Sequence, residues 1–472
     1  MNSTKKIFLI LIVLLGYFSC DDELDIIPIS EKAANNFFSS EQELESAIIG
    51  IYAQLQNNGL YGLDLIGVGE ISAEDSFEEI AANDGGRFGQ LDDFSTNPEN
   101  DLVGDIWRES YEGIQRTNVV LNRISDIEFQ DVALKANRIG EMKFIRALLY
   151  FNLVRLYGDV PLVIEETENP FDFFGQGRTS TTEVYSRIQT DLSEAIQDLP
   201  TTKSPGRPAL GAAQALLADV QLTQGDFSSA LPNLEAVVNS GVYELMPTTS
   251  EIFGEANEGN AEIIFEVQYV SGLNVEGENE GSSAGSQFRP SGTTANAKGH
   301  NLPTQAFIDS FEAGDTRLDD YVAIDPDANP FYFSTKYEIS ATGADDGGSD
   351  HLIIRFADVV LKYAEALNEN NQTGEAILQL NRIRTRAGLA GTTATTQEEV
   401  RAAIKQERRF EFIGEGKRWF DLKRYGTAID VMNAFFTINN PGVTINENNL
   451  VLPIPQSQID TDPDFIKQNP GY

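Results

Sequence analysis

Apolar residues recur along this chain at helical intervals far more often than at alternate positions. Trp107, Tyr111, Ile114, Asn118 and Leu121 step by four, three, four and three, which lays one stripe along an amphipathic helix. A second helix is predicted through Phe144, Ala147, Leu148, Phe151 and Val154. It stops at Tyr157-Gly158, with Pro161 beyond. Thr182 to Leu199 reads as a third helix, and Pro208 sits where the first turn of the next one tolerates proline.

A weak internal repeat follows. Leu216-Leu217-Ala218 runs through Leu222 and a Gly225-Asp226 turn to Ala230-Leu231 and Leu234. Much later, Val360-Leu361 runs through Ala364, Ala366 and Leu367 and a Thr373-Gly374 turn to Ala376-Ile377 and Leu380. Both read as helix, short turn, helix, with small residues where two helices must approach closely. This is the grammar of tetratricopeptide-like pairs, without their full signature. Such pairs stack through their neighbours into a curved scaffold. From Glu255 to about Asp350 the composition shifts to Gly, Ser, Asn and Asp, interrupted by a predicted strand at Ile263-Ile264-Phe265-Glu266-Val267. Loops this long in a compact protein are usually functional or disordered, and a rigid frame carrying them is a common geometry for binding. The expected fold class is mainly α. A tetratricopeptide-like helical-repeat scaffold would span about 30–250 and 351–472, with a loop-rich, partly β insertion at about 251–350.

The amino terminus adds an address. Lys5 and Lys6 precede an apolar run from Ile7 to Phe18, shorter than the roughly 20 residues a membrane-spanning helix needs but suited to a signal peptide. The run ends at Ser19-Cys20, a small residue before the chain's only cysteine, as a lipoprotein signal peptidase requires. Residues 1–19 are therefore expected to be a lipoprotein signal peptide, Cys20 the lipid anchor and 20–472 one domain. An ordinary secretory signal is the competing reading, because position 17 is Tyr where Leu is commonest. Asp21, Asp22 and Glu23 follow at once. This cluster resembles the signal that sends lipoproteins of Bacteroidetes-type bacteria to the outer leaflet of the outer membrane, and it fits a solvated linker equally well. With Cys20 lipidated no disulfide can form, so the fold depends on its core, for which the 41% apolar content suffices. The formal charge of −39 excludes nucleic acid as a partner, since phosphates would be repelled.

Candidate chemistry is sparse. The two histidines, His300 and His351, lie far apart with no companion cysteine, which argues against a zinc site. Asp325, Asp327 and Asn329 alternate oxygen ligands as a calcium loop would. They lack the central glycine and distal glutamate, so a plain acidic turn is the preferred reading and structural calcium the weak alternative. No Gly-rich phosphate loop follows a strand, and no Gly-x-Ser-x-Gly elbow appears. Glu411 and Glu415 could be imagined as the acid and base of a glycosidase. Arg408, Arg409, Arg418 and Arg424 alternate with Glu407, Glu411, Glu415 and Asp421, however, and that spacing suits ion pairs tying a helix to its neighbours.

Glu407-Arg408-Arg409-Phe410-Glu411-Phe412 leads into Gly414-Glu415-Gly416-Lys417-Arg418-Trp419-Phe420-Asp421-Leu422-Lys423-Arg424, and the chain closes on Leu452-Pro453-Ile454-Pro455-Gln456-Ser457-Gln458-Ile459 and Gln468-Asn469-Pro470-Gly471-Tyr472. With the Trp107 helix and its Asn118, the Tyr157-Gly158-Asp159-Val160-Pro161-Leu162 turn and Arg207-Pro208-Ala209, these segments resemble the hallmarks of the SusD/RagB family across essentially the whole mature chain. The resemblance implies a cell-surface lipoprotein with no catalytic group and no cofactor. Such proteins capture an oligosaccharide or polysaccharide and close it into a SusC-like TonB-dependent transporter of the outer membrane; the RagB branch takes peptides or other nutrients instead. In relatives the site draws on the loop before the Trp107 helix and on the long insertion. Here the first holds Glu74, Asp75, Phe77, Arg87, Phe88 and Phe94, and the second Tyr269, Gln287, Phe288, Arg289 and Tyr332. Both tryptophans, Trp107 and Trp419, fall in scaffold motifs, so a sugar-stacking platform must be Phe or Tyr. The overall acidity disfavours uronate-rich or sulfated glycans, although Arg87, Arg289 and Lys298 could make a local positive pocket.

Overall fold

A computed structural model describes residues 38–169, 171–275, 278–325, 329–339 and 343–472, without side chains at 274, 275, 278, 279, 325 and 329. The expected anchor Cys20 lies outside these residues, as does Asp327, and nothing is said of the side chains of Asp325 and Asn329.

Helices dominate. The labelled ones are α1 (Glu41–Leu55), α2 (Asp64–Ile71), α3 (Asp101–Arg123), α4 (Val132–Tyr157), α5 (Thr181–Asp198), α6 (Leu210–Thr223), α7 (Phe227–Val238), α8 (Phe356–Glu369), α9 (Thr373–Arg386), α10 (Gln397–Glu411), α11 (Arg418–Arg424) and α12 (Ala428–Asn439). Their ends are chemically marked. The Asn100 side chain accepts from the amides of Leu102 and Val103 to start α3, and Ser180 and Asp226 cap α5 and α7 in the same way. Thr396 and Glu399 form a reciprocal capping box on α10. Gly158 closes α4 at φ 74°, a conformation that costs other residues a Cβ clash.

The helices pack in chain order: α3 on α4, α4 on α5, α5 on α6, α6 on α7 and α8 on α9. The sequence repeat becomes physical where α7 packs directly on α8. The pairs α6/α7 and α8/α9 therefore stack although the loop-rich segment separates them. Strand β2 (Ile263–Val267) pairs antiparallel with β6 (His351–Arg355), Ile263 opposite Arg355 and Val267 opposite His351. Both are buried throughout. This ladder clamps together the points where the segment leaves and rejoins the frame. Away from the frame, β1 (Ser76–Phe77) pairs with β3 (Leu302–Pro303), and β4 (Val322–Asp325) forms a hairpin with β5 (Asn329–Ser334), which lies against β3.

One apolar core runs from Leu44 in α1 through the α4 interior to Leu380 and Ile404. A satellite gathers Phe307, Tyr321 and Leu352 under Phe410 and Ile413. Another joins Ala73 to Trp419, Met432 and Phe436. The C-terminal motif is two helices rather than one. The segment between α10 and α11 turns at Gly414 (φ 79°) and Gly416 (φ 70°). Gly416 is the point of closest approach to α2, where a Cβ on Gly69 would overlap the Gly416 carbonyl.

Candidate functional site

Most charged residues of the C-terminal motif are consumed in the interior. Glu411 is fully buried and faces Arg355 at 2.7 Å, Arg317 at 3.1 Å and Arg386. Glu415 pairs with Lys336 at 2.6 Å and Arg355 at 2.7 Å. Arg408 bridges Asp358 on α8 to Asp421 on α11. These pairs mostly join different elements, and neither Glu411 nor Glu415 has the exposure a glycosidase carboxylate needs to meet a substrate.

Several expected binding residues belong to the same frame. Asp75 accepts from Arg409 Nε at 2.7 Å, and Glu74 pairs with Arg418. Arg87 spans Asp64 and Asp105, the latter at 3.0 Å. Phe88, Tyr269 and Phe288 are interior and present no face to solvent, which corrects their expected role as platforms. Phe88 lies 4.4 Å from the His300 ring and seats against Gly67, where a Cβ would overlap it. Phe94 is half-buried between Trp419 and Phe436, at 5.5 and 5.7 Å. Gln287 donates to Asp345 at 3.1 Å, and the Arg289 guanidinium covers the Phe333 ring at 4.4 Å. Lys298 pairs with Asp84 at 3.0 Å. The local positive pocket thus does not assemble.

Phe77 and Tyr332 do come together. They line an open cavity of about 550 Å³ between the β1–β3–β5 corner and the C-terminal end of α12, within the size range of small-molecule sites. Phe77 meets Phe331 edge to face at 5.5 Å, and Phe331 keeps 37% of its surface exposed. Phe435 and Phe436 form the opposite wall, 5.6 Å apart, with Phe94 and Trp419 packed behind them. Phe331 stays open to the cavity, whereas Phe333, two residues further along β5, is buried under the Arg289 guanidinium. The polar lining comprises Asp92, Asp93, Thr304, Gln305, Asn439 and Asn440. Asp92 accepts from the Glu78 amide at 3.2 Å, and burial, with Glu78 and Asp93 nearby, pushes its carboxyl up to about 7. Asp93 accepts from the Ser95 amide at 2.9 Å. Gln305 donates to Asp309 at 2.8 Å and Asn439 to the Phe435 carbonyl at 3.0 Å, so their carbonyl ends remain available as acceptors.

Sequence reasoning missed Asp92, Asp93, Gln305, Phe331, Phe435, Asn439 and Asn440. Phe331 carried a signal, since it adjoins Tyr332 in the insertion; α12 carried none, because Phe435 and Phe436 read as ordinary helix core. Among the described residues, no three His, Cys, Asp or Glu are placed to hold a metal ion.

Fold and cavity define a class of protein: a helical-repeat scaffold that carries an aromatic cavity with amide and carboxylate edges on its loop-rich side. The chain belongs to the SusD/RagB family. The family model described as SusD family matches residues 318–472, and that described as starch-binding associating with outer membrane matches 24–222. SusD-like protein P2 of Formosa agariphila is 27% identical over the whole of both chains. A laminarin binding SusD-like protein superposes with a TM-score of 0.78 at 27% identity, covering 92% of this chain and 100% of that one. Surface glycan-binding protein A from Bacteroides fluxus shares the fold, with a TM-score of 0.81 at 24% identity, covering 92% and 100%.

Proposed function

We propose that this chain is a non-catalytic, cell-surface glycan-binding lipoprotein that captures an oligosaccharide or polysaccharide and delivers it to a SusC-like TonB-dependent transporter of the outer membrane. The observation that carries the reading is the cavity itself. Phe331, Phe77 and Tyr332 offer apolar faces to the C–H side of a sugar ring, and Asp93, Gln305 and Asn439 offer acceptors to its hydroxyls. The similarity to a laminarin binding SusD-like protein supports a glycan ligand. The family description that names starch binding and outer-membrane association supports the location. Anchoring through Cys20 would hold the chain at that surface, and the transporter would supply the energy, leaving this chain to provide affinity.

The test is a glycan panel run by affinity electrophoresis and calorimetry on the mature chain lacking Cys20, spanning β-glucans, α-glucans, fructans, mannans and uronates. Binding to one class with no hydrolysis product is expected. Phe331→Ala should weaken it about tenfold or more, the scale of removing an aromatic anchor. Product formation, or tight binding untouched by both Phe331→Ala and Tyr332→Ala, would refute the assignment. Silence on glycans with binding of peptides would move the chain to the RagB type.

A further inference from the structure

We infer that the cavity selects by charge: it accepts uncharged glycans and turns away those carrying uronate or sulfate groups. The inference rests on the glycan-binding reading above and adds the substrate class. Its ground is the balance of charge at the walls. Asp92 and Asp93 stand side by side on the cavity lining, and among the described lining residues there is no Lys, Arg or His. The cations on the segments around those walls are already committed: Lys336, just beyond Tyr332, is held by Glu415, and Arg424, before α12, by Glu365 and Asp421. Arg87 is held by Asp64 and Asp105, Lys298 by Asp84, and Arg409 and Arg418 by Glu74 and Asp75 behind β1. The arginines cannot swing to an incoming anion without leaving a buried or half-buried carboxylate uncompensated, while Lys298 stays paired with Asp84 at the surface.

Two further observations sharpen the point. Asp93 lines the cavity and has its Oδ1 satisfied by Ser95, through both the amide and the hydroxyl, so its second oxygen is available as an acceptor. The aromatic walls replace part of the water that would surround a bound ligand and so lower the local dielectric, which makes a like-charge encounter costlier than on an open surface. A neutral sugar meets the same carboxylates differently: each hydroxyl donates to an oxygen that is ready to accept, with a charge-assisted bond as the result.

The experiment compares each neutral glycan that binds (laminarin, starch and galactomannan as probes) with its own C6-carboxylated derivative, which keeps the backbone and changes one hydroxymethyl to a carboxylate. At low salt and about pH 8.5, where Asp92 is ionised as well as Asp93, the carboxylated form should bind at least about tenfold more weakly. The gap should shrink several-fold between about 0.02 and about 0.5 M NaCl, as screening shortens the reach of the repulsion. Asp93→Asn, which keeps the oxygen that Ser95 uses, should close most of the gap; Asp92→Asn plus Asp93→Asn should abolish it. Equal binding of the two forms overturns the inference while leaving the glycan reading intact. So does a gap that neither salt nor Asp93→Asn moves, because that is exclusion by shape. If none of the neutral probes or panel glycans binds, the glycan reading itself falls and this inference with it.

Discussion

Glu411 offers the sharpest test of the frame. Its carboxylate is fully buried, and the desolvation that would push its carboxyl up is outweighed by Arg386, Arg355 and Arg317, which hold it well below the usual range. Glu411→Gln keeps the shape and removes the charge. Arg317 would retain Asp315 and Glu407, and Arg355 would retain Glu262 and Glu415, but Arg386 would be left with Glu262 alone. Breaking a buried pair from one side costs about 3–5 kcal/mol. The surviving carboxylates place Glu411→Gln near the lower end, about 3 kcal/mol. Glu411→Ala, which also opens a void and strands donors, belongs near the upper end, about 5 kcal/mol. Against a total stability of roughly 5–15 kcal/mol, either loss is large. Both tryptophans are buried, Trp107 in α3 and Trp419 in α11, so their fluorescence in a guanidinium titration reports unfolding from both ends of the described chain. The midpoint should fall with little change in slope, because the surface exposed on unfolding is nearly the same. A loss under about 1 kcal/mol for both variants would refute the reasoning, since it would mean that the arginines stabilise one another's partners without Glu411.

Two further outcomes follow from the same junction. Gly69→Ala should cost more than about 3 kcal/mol or prevent folding, because its Cβ would overlap backbone at Gly416. Gly50→Ala on α1, with open space around it, should stabilise by up to about 1 kcal/mol; matched midpoints for the two variants would count against the close packing. Glu70 lies beside the same turn, accepting from the amides of Gly416 and Lys417 at 2.8 and 3.2 Å, and burial pushes its carboxyl from 4.5 up to about 8. The folded chain then holds a proton that the unfolded chain releases. The wild type should therefore lose stability as pH rises from about 4.5 to about 8 and level off above that. Glu70→Gln removes this slope. Relative to wild type it should gain on the order of 2–4 kcal/mol between pH 5 and pH 9, below the ~5 kcal/mol that the whole shift would give; stability curves that run parallel would show that Glu70 stays ionised.

The frame was legible in the sequence because its signals are periodic. The Trp107 stripe, the Tyr157-Gly158 stop and the two helix-turn-helix repeats depend on residues close in sequence, and α3, α4 and the stacked α6/α7 and α8/α9 pairs appear where those residues predict them. The cavity was half legible. Phe77 and Tyr332 sit in loops that the family resemblance marked, but Phe88, Tyr269 and Phe288 sit in the same loops and are interior. Composition cannot separate the two groups, because exposure there is set by what packs against each ring. Gly67 and His300 cover Phe88, which is fully buried, whereas Phe331 meets Phe77 only edge to face and stays exposed. The α12 wall was invisible for the converse reason, since Phe435 and Phe436 obey helical spacing and only the position of the helix end makes them part of a cavity.

Glu74 and Asp75 show how the frame and the cavity depend on each other. Read from the sequence, they were candidates to touch a ligand; in the fold they are pins. Arg409 on α10 and Arg418 on α11 hold the two carboxylates, and the Asp75 carbonyl accepts from the Thr304 amide at 2.8 Å. Asp75 is followed directly by Ser76 and Phe77 of β1, and Thr304 follows β3 and itself lines the cavity. The C-terminal motif therefore fixes the position of one aromatic wall from behind without contributing a side chain to the lining. That arrangement lets residues such as Phe331, Gln305 and Asn439 change with the ligand, because the ion pairs that locate the wall stand apart from the surface that meets it.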